Sequence, residues 1–334
     1  MKAYITRKYG ADGHFELAEI DTPEPGEGEV LISVKATSIN PIDNKLLRHE
    51  LGFNPELPAV LHGDVAGVVS AVGPGVHSFE VGDEVYACAG GFIGTPGALA
   101  EYLPADESLV AHKPKSLSFV EAAALPLVVL TAWESLIDSA NIQPGEHVLV
   151  HGGTGGVGHV GVQLAKAKGA RVAATVSSDD KAEIARSLGV DDIINYREES
   201  VEAYIQRLTD GRGFDAVYDT VSGPVFGQSL NATRIRGRIV TVFTGTESTT
   251  LDLMNAFIKA ATIHTQNMSI PLITGEGRAH HGEILREASK LADAGKLKPL
   301  IDPNRFTFAQ ANEAHALFES GKHVGKIVLN EEWS

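Results

Sequence analysis

Val148-Leu149-Val150-His151-Gly152-Gly153-Thr154-Gly155-Gly156-Val157-Gly158 is the stretch that decides how this chain folds. Val148–His151 reads as a buried strand, and the apolar stripe Val157, Val160, Gly161, Leu164 and Ala165 reads as one face of a helix. Between them Gly153, Gly155 and Gly158 have the G-x-G-x-x-G spacing of a strand-to-helix turn. The three glycines permit, in turn, a tight bend, the approach of a diphosphate to the backbone, and close packing of helix on sheet. The anion would face a helix N-terminus, where unpaired N–H groups and the dipole favour negative charge. A bare glycine pattern is a common turn. Its position between strand and helix points to a dinucleotide, with Gly153, Thr154, Gly155, Gly156, Val157 and Gly158 as the binding loop.

Downstream, Arg171–Val176, Asp192–Tyr196, Ala216–Thr220, Ile239–Phe243 and Thr262–Gln266 read as further strands separated by helical patterns. With the first they make six, the full set of a doubly wound parallel sheet in an α/β domain. An NAD site usually carries Asp or Glu about 20 residues past the glycines, bonded to the ribose 2′-hydroxyl. Here the second strand ends Thr175-Val176-Ser177-Ser178, followed by Asp179, Asp180 and Lys181. Ser177 and Ser178 can hydrogen-bond a 2′-phosphate and Lys181 can neutralise it. Asp179 and Asp180 weigh the other way, and a helix cap or a solvated first-turn lysine is the plainer reading of Ser178 and Lys181. The balance favours NADP. Tyr196 ends the third strand, within reach of adenine or phosphate. Phe243 ends the fifth and Met268 follows the sixth, at the strand ends where such a sheet binds its ligand.

Upstream the texture is β. Phe15–Ile20, Val30–Ser38, Val65–Val72, Glu84–Ala87 and Leu109–His112 alternate between turn signals, which suggests a sandwich or partly open barrel. The tail holds a helix with Ile284, Leu285, Ala288, Leu291 and Ala292 on one face, a second near Ala311–Phe318, and a last strand, Lys326–Leu329. The expected division is 1–125 with 270–334 as one β-rich domain and 126–269 as an inserted nucleotide domain.

Composition narrows the function. Among 334 residues, 43% hydrophobic and 21% charged, 28 Lys and Arg face 43 Asp and Glu for a net charge of −15. That surface repels phosphate backbones and anionic lipid, so nucleic acid and membrane are excluded as partners. The first residues lack the apolar run of a signal peptide, and a cytoplasmic location is expected. Cys88 is the only cysteine, which leaves no intrachain disulfide and no metal site that needs two thiolates. The thirteen histidines lack ligand spacing and are expected at the surface or at helix ends.

Taken in order, several short motifs resemble the zinc-free quinone oxidoreductases of the medium-chain dehydrogenase/reductase superfamily. They are Ser38-Ile39-Asn40-Pro41-Ile42-Asp43, Gly63-Asp64-Val65-Ala66-Gly67, Val81-Gly82-Asp83-Glu84-Val85, Leu130-Thr131-Ala132, the glycine loop, Ile194-Asn195-Tyr196-Arg197 and Val324-Gly325-Lys326-Ile327-Val328-Leu329. The resemblance implies a GroES-like catalytic domain split around a Rossmann domain, and a homodimer joined through the last Rossmann strand, Thr262–Gln266. It implies Asn40 and Thr131 on the nicotinamide side, and Lys326 near the cofactor. Zinc-bearing relatives hold their metal with Cys, the histidine of Gly-His-Glu, and a later Cys or Glu. Asn40 falls at the first position and Gly63 at the histidine, with His62 one residue early, so no metal is expected. The implied activity is NADPH-dependent hydride transfer to a quinone or α,β-unsaturated carbonyl. An enoyl-thioester reductase, or a non-catalytic NADPH-binding protein like the crystallin relatives, is the alternative. His49, Asp43 and Tyr102 are the candidate general acids.

Overall fold

A computed structural model of the chain describes residues 1–92, 94–242 and 250–331. The chain divides into two compact units: Met1–Leu130, Ser269–Gly295 and Pro299–Ser334 form the first, and Thr131–Met268 with Lys296–Lys298 the second.

The first unit opens with β1 (Lys2–Thr6), β2 (Glu16–Glu19), β3 (Glu29–Ser38) and α1 (Pro41–Arg48). Next come β4 (Ala59–Val60), β5 (Asp64–Val72), β6 (Glu84–Cys88), β7 (Tyr102–Asp106), β8 (Val110–His112), α2 (Phe119–Ala123) and α3 (Pro126–Trp133), whose last residues fall in the second unit. Asn40 starts α1 with a reciprocal cap, its backbone N–H donating 2.7 Å to the Asp43 carboxylate. β3 is long and almost wholly buried because it pairs on both sides: antiparallel with β5 and with β7. Val30, Ile32, Val65, Val69, Val85 and Tyr86 form the centre of its core.

The second unit runs β9 (His147–His151), α4 (Gly156–Ala167), β10 (Arg171–Val176), α5 (Asp179–Ser187), β11 (Asp192–Asn195), α6 (Val201–Thr209) and β12 (Phe214–Asp219). It continues with α7 (Val225–Ala232), β13 (Thr233–Val242), α8 (Leu253–Lys259) and β14 (Thr262–Gln266). The six strands are parallel in the order β11-β10-β9-β12-β13-β14. Counted from β9 this is 3-2-1-4-5-6, the doubly wound dinucleotide order, whose direction reverses between β9 and β12. Phe243 lies outside the described residues, so β13 is followed only to Val242.

The chain then returns to the first unit with α9 (Ile270–Thr274), α10 (Arg278–Asp293), β15 (Phe306–Thr307), α11 (Ala311–Glu319) and β16 (Val328–Asn330). β16 adds to the outer edge of β3, with Val328 opposite Ser38. The first unit thus holds a seven-stranded sheet, β15-β16-β3-β5-β6-β8 with β7 on β3, and a three-stranded one, β2-β1-β4.

In the second unit Phe214 is wholly buried among Leu149, Val217, Tyr204 and Ile239, with its ring 4.7 Å from that of His147. Phe214→Ala opens a cavity where four elements meet and should cost about 3–5 kcal/mol. Chemical denaturation would show this as a lower midpoint. A midpoint equal to wild type would mean that this cluster does not hold the sheet to its helices.

Candidate active site

The glycine turn follows β9. Gly152 adopts φ 71°, a left-handed conformation that glycine takes without penalty. A Cβ on Gly153 would lie 2.6 Å from that of Ala174, and one on Gly158 would collide with the Gly152 carbonyl. The motif therefore requires Gly152 as well, which the G-x-G-x-x-G spacing does not single out. Thr175 Oγ1 accepts from the Gly152 N–H at 2.9 Å, and Thr220 Oγ1 donates to the His151 carbonyl at 2.6 Å, so both neighbouring strands fix the turn. Gly155 caps α4, Gly156 and Val157 open it, and Thr154 is buried. Among the described residues a Cβ on Gly155 would meet only the Gly152 carbonyl, at 3.2 Å, and a glycine cradle of this kind at a helix N-terminus fits a phosphate.

At the end of β10, Ser178 Oγ accepts from the Lys181 N–H at 3.4 Å and caps α5. Ser177 and Lys181 are half-buried, whereas Asp179 and Asp180 are exposed in the first turn. Tyr196 is exposed just past β11. Thr131 and Met268 are buried in the second unit.

The first unit contains a separate polar centre. Asp64, at the start of β5, is completely buried and accepts from Ser38 Oγ at 2.8 Å, Asn40 Nδ2 at 2.8 Å and the Leu127 N–H at 2.8 Å. The last contact lies in the first turn of α3, where Pro126 has no N–H to offer and a carboxylate offsets the helix dipole. Lys326 brings a buried ammonium, bonded to the Asn40 Oδ1, to the Ile39 carbonyl at 2.9 Å, and to Asp64 at 3.4 Å. The structure thus brings Asn40 and Lys326 together. Asn40 Oδ1 also takes the Asp43 N–H in the cap, so one Nδ2 hydrogen remains beyond these bonds.

Burial lowers the Lys326 ammonium from the ordinary lysine value, and Asp64 and Asp43 oppose that shift. Burial pushes the Asp43 carboxyl up to about 7, with the negative charge of Asp64 adding to it. Two carboxyls beside one ammonium would leave a net buried charge, and a proton on Asp43 removes it. Of the candidate acids, Asp43 is buried, His49 exposed and Tyr102 half-buried. Cys88 is buried, and burial, then Asp64 and Asp43, push its thiol well up, away from the reactive thiolate.

The histidines correct the expectation of a surface location. His62, His147, His151, His159, His281 and His315 are all buried. His62 and His315 meet Nε2 to Nε2 at 2.9 Å, beside Phe15. Thr37 Oγ1 donates to the Asp64 carbonyl at 2.6 Å, so it can only accept from His62 Nδ1, 3.3 Å away. His62 Nε2 is then bare when that ring is neutral, and the single proton of a neutral His315 is shared between its Nε2, facing His62, and its Nδ1, 3.3 Å from the Asn44 Oδ1 acceptor. Nothing in local sequence pairs residues 253 positions apart. Among the described residues no group of three or more His, Cys, Asp or Glu side chains is arranged to hold a metal ion.

By sequence, residues 26–115 match the alcohol dehydrogenase GroES-like domain family and residues 188–329 the zinc-binding dehydrogenase family. The chain is 37% identical over 341 residues to a 2-methylene-furan-3-one reductase of Solanum lycopersicum, covering 99% of this chain and 79% of the relative. It is 32% identical to a chloroplastic NADPH-dependent alkenal/one oxidoreductase of Arabidopsis thaliana, covering 98% and 79%. A crystal structure of an alcohol dehydrogenase superfamily protein from Novosphingobium aromaticivorans superposes with a TM-score of 0.93 at 39% identity, over 99% of this chain and 100% of that one. Escherichia coli quinone oxidoreductase complexed with NADPH gives a TM-score of 0.87 at 28% identity, covering 99% and 100%. The fold and these matches define a medium-chain dehydrogenase/reductase, and the chain belongs to that superfamily. Its relatives there include quinone and alkenal oxidoreductases.

The histidine pair makes a prediction for stability. Burial and Arg48 hold His315 down to about 3, and burial, then His315 and Lys326, hold His62 well below the ordinary range. An unfolded histidine takes a proton near 6.5, so below that pH the unfolded chain binds more protons than the folded one. Stability is full above about 6.5 and falls as pH drops toward about 3, by up to ~1.4 kcal/mol per pH unit for each histidine. His315→Asn should flatten this slope in denaturant titrations. A variant with the wild-type slope would show that His315 is not held neutral.

Proposed function

We propose that this chain is an NADPH-dependent reductase of quinones and α,β-unsaturated carbonyls that works without zinc. The observation that carries the metal-free half is the buried Asn40–Asp64–Lys326 cluster. Asn40 and Gly63 stand where zinc-bearing relatives have cysteine and histidine, and the Asp64 carboxylate is engaged by an ammonium, two side-chain donors and a helix N–H. The Lys326 ammonium already neutralises the Asp64 carboxylate, so the set carries no uncompensated negative charge to attract a metal ion. The names of the relatives support NADPH and a conjugated acceptor.

The dinucleotide supplies a hydride from its nicotinamide ring. Gly153, Thr154, Gly155, Gly156, Val157 and Gly158 hold its diphosphate, while Ser177, Ser178 and Lys181 take the 2′-phosphate. Tyr196 and Met268 border the rest, and Asn40, Thr131 and Lys326 serve the nicotinamide side. A quinone or enone spreads the arriving negative charge onto a distant oxygen, so positioning and hydrogen-bond donors replace the Lewis acid that alcohol oxidation uses. NADPH absorbance should fall with 1,4-benzoquinone, a 9,10-quinone and a simple enone, and more slowly with NADH. Lys181→Ala should weaken NADPH binding about tenfold and leave NADH binding unchanged. Equal losses for both dinucleotides would remove Lys181 from the 2′-phosphate site, and no turnover with any acceptor would overturn the activity.

The reading also takes the protein as a cytoplasmic homodimer. Among the described residues β14 pairs only with β13, leaving one strand edge for a second copy. On the preceding α8, Leu253, Met254, Phe257 and Ile258 are exposed at i, i+1, i+4 and i+5, an apolar face of the kind interfaces cover. No helix among the described residues is long and apolar enough to cross a membrane. Sedimentation should give twice the 35.4 kDa chain mass, and Phe257→Asp should shift it toward monomer. A wild-type monomer at micromolar concentration would contradict this.

A further inference from the structure

Three buried polar side chains lie in a row across the C-terminal ends of the parallel strands. His151 ends β9, Asp219 is its register partner at the end of β12, and Thr241 in β13 is the register partner of Asp219. Register partners in a parallel sheet put their side chains on the same face. His151 Nε2, Asp219 Oδ2 and Thr241 Oγ1 are all buried, and none has a hydrogen-bond partner among the described residues. A buried polar group without a partner is costly, and three in neighbouring strands are not a packing accident.

Their place in the fold suggests what completes them. β9 and β12 flank the point where the strand order reverses, and a doubly wound sheet binds its ligand there, beyond the strand ends. His151 is bonded directly to Gly152, the left-handed residue of the glycine turn. Its Nδ1 is 3.5 Å from Thr175 Oγ1, the group that holds the Gly152 N–H. Asp219 Oδ1 accepts from the Val221 and Ser222 N–H groups at 3.0 and 2.8 Å, fixing the loop after β12.

The surrounding charges are few. Burial holds the His151 imidazole down to about 4, and Asp219 opposes that shift. His147 and Asp215 open β9 and β12 at the other end of the sheet, where they meet Asp192, Arg212 and Arg234. On α4, His159 has its Nδ1 3.0 Å from the Gly155 carbonyl. Asp179, Asp180 and Lys181 begin α5 beyond β10, and His264 lies in β14 beyond β13. Without ligand, His151 is neutral at physiological pH. A bound dinucleotide brings the two negative charges of its diphosphate to the turn that His151 supports, and an anion nearby favours the charged imidazole.

We propose that the His151–Asp219–Thr241 row is a proton-linked part of the dinucleotide site: His151 takes up a proton from solvent when the dinucleotide binds, and Asp219 accepts its new N–H. The proposal rests on the dinucleotide reading of the glycine turn. It makes His151 and Asp219 positioning residues, and it makes binding tighten as pH falls between the free and bound His151 values.

Calorimetry of NADP⁺ binding to the full chain tests this without turnover, in pairs of buffers that differ in ionisation heat, between about pH 5 and 7. Wild type should take up a fraction of a proton per NADP⁺, rising toward one at the acid end, with Kd changing by up to ~tenfold per pH unit. His151→Asn should lose that uptake, leaving only the titration of the ligand's own 2′-phosphate, and Asp219→Asn should reduce it. A thermal melt checks the fold of each variant, and the wild-type measurement stands without them. NADP⁺ binding with no proton uptake, or the same uptake in His151→Asn, would overturn this inference alone. A wild-type chain that does not bind NADP⁺ would overturn the dinucleotide reading and this inference with it.

Discussion

Lys326 carries its ammonium into a region closed to water, and a buried cation persists only where carboxylates and carbonyls surround it. Asp64 and Asn40, from the first quarter of the chain, provide that surround, and Ile39 adds its carbonyl. The cluster joins the C-terminal segment to β3 and β5, so the first unit closes around a chain that leaves and returns. Asp64 also reaches the first turn of α3, which runs on to Thr131. One carboxylate therefore braces a buried lysine, the turn at Asn40 and the start of the helix that leads into the second unit. Breaking one member strands the charge of the others, which is why the set acts as one unit.

The second unit depends on a steric constraint. Gly152 needs a left-handed backbone, Gly153 needs room against Ala174, and Gly158 needs room against the Gly152 carbonyl. Those three approaches set where α4 leaves the sheet. The neighbouring strands hold the turn through Thr175 and Thr220, so it is shaped before any ligand arrives, and preorganisation of this kind lowers the ordering cost of binding. His151, which ends β9, and Asp219, which ends β12, flank this turn, each with a buried polar atom that has no partner among the described residues.

Much of this was legible in the sequence because it is local. The glycine turn, the period-two strands and the apolar helix faces use residues within a few positions of one another, and the expected strands from Arg171–Val176 to Thr262–Gln266 match those found within a residue or two at most ends. β13 is the exception: it begins at Thr233, ahead of the expected Ile239, because Arg234, Ile235 and Arg236 are polar or exposed and mask its start. The polar centres were not legible. Asn40 and Lys326 are 286 positions apart and His62 and His315 are 253 apart, and no spacing rule couples such pairs. Ser178 could be read as a helix cap or a phosphate ligand, and its bond to the Lys181 N–H shows that the cap is made. Histidine is apolar enough to fill a core and polar enough to suit a surface, so thirteen of them carried no burial signal.

The proposed reaction is direct hydride transfer from NADPH to a conjugated acceptor with no metal taking part. Turnover of an enone with NADPH deuterated at the transferred position of C4, on protein whose metal content is measured in the same sample, tests it most directly. One deuterium is expected on the β-carbon of the saturated product, from protein holding far less than one zinc per chain. Deuterium absent from that carbon, or activity that rises in proportion to bound zinc, would contradict it.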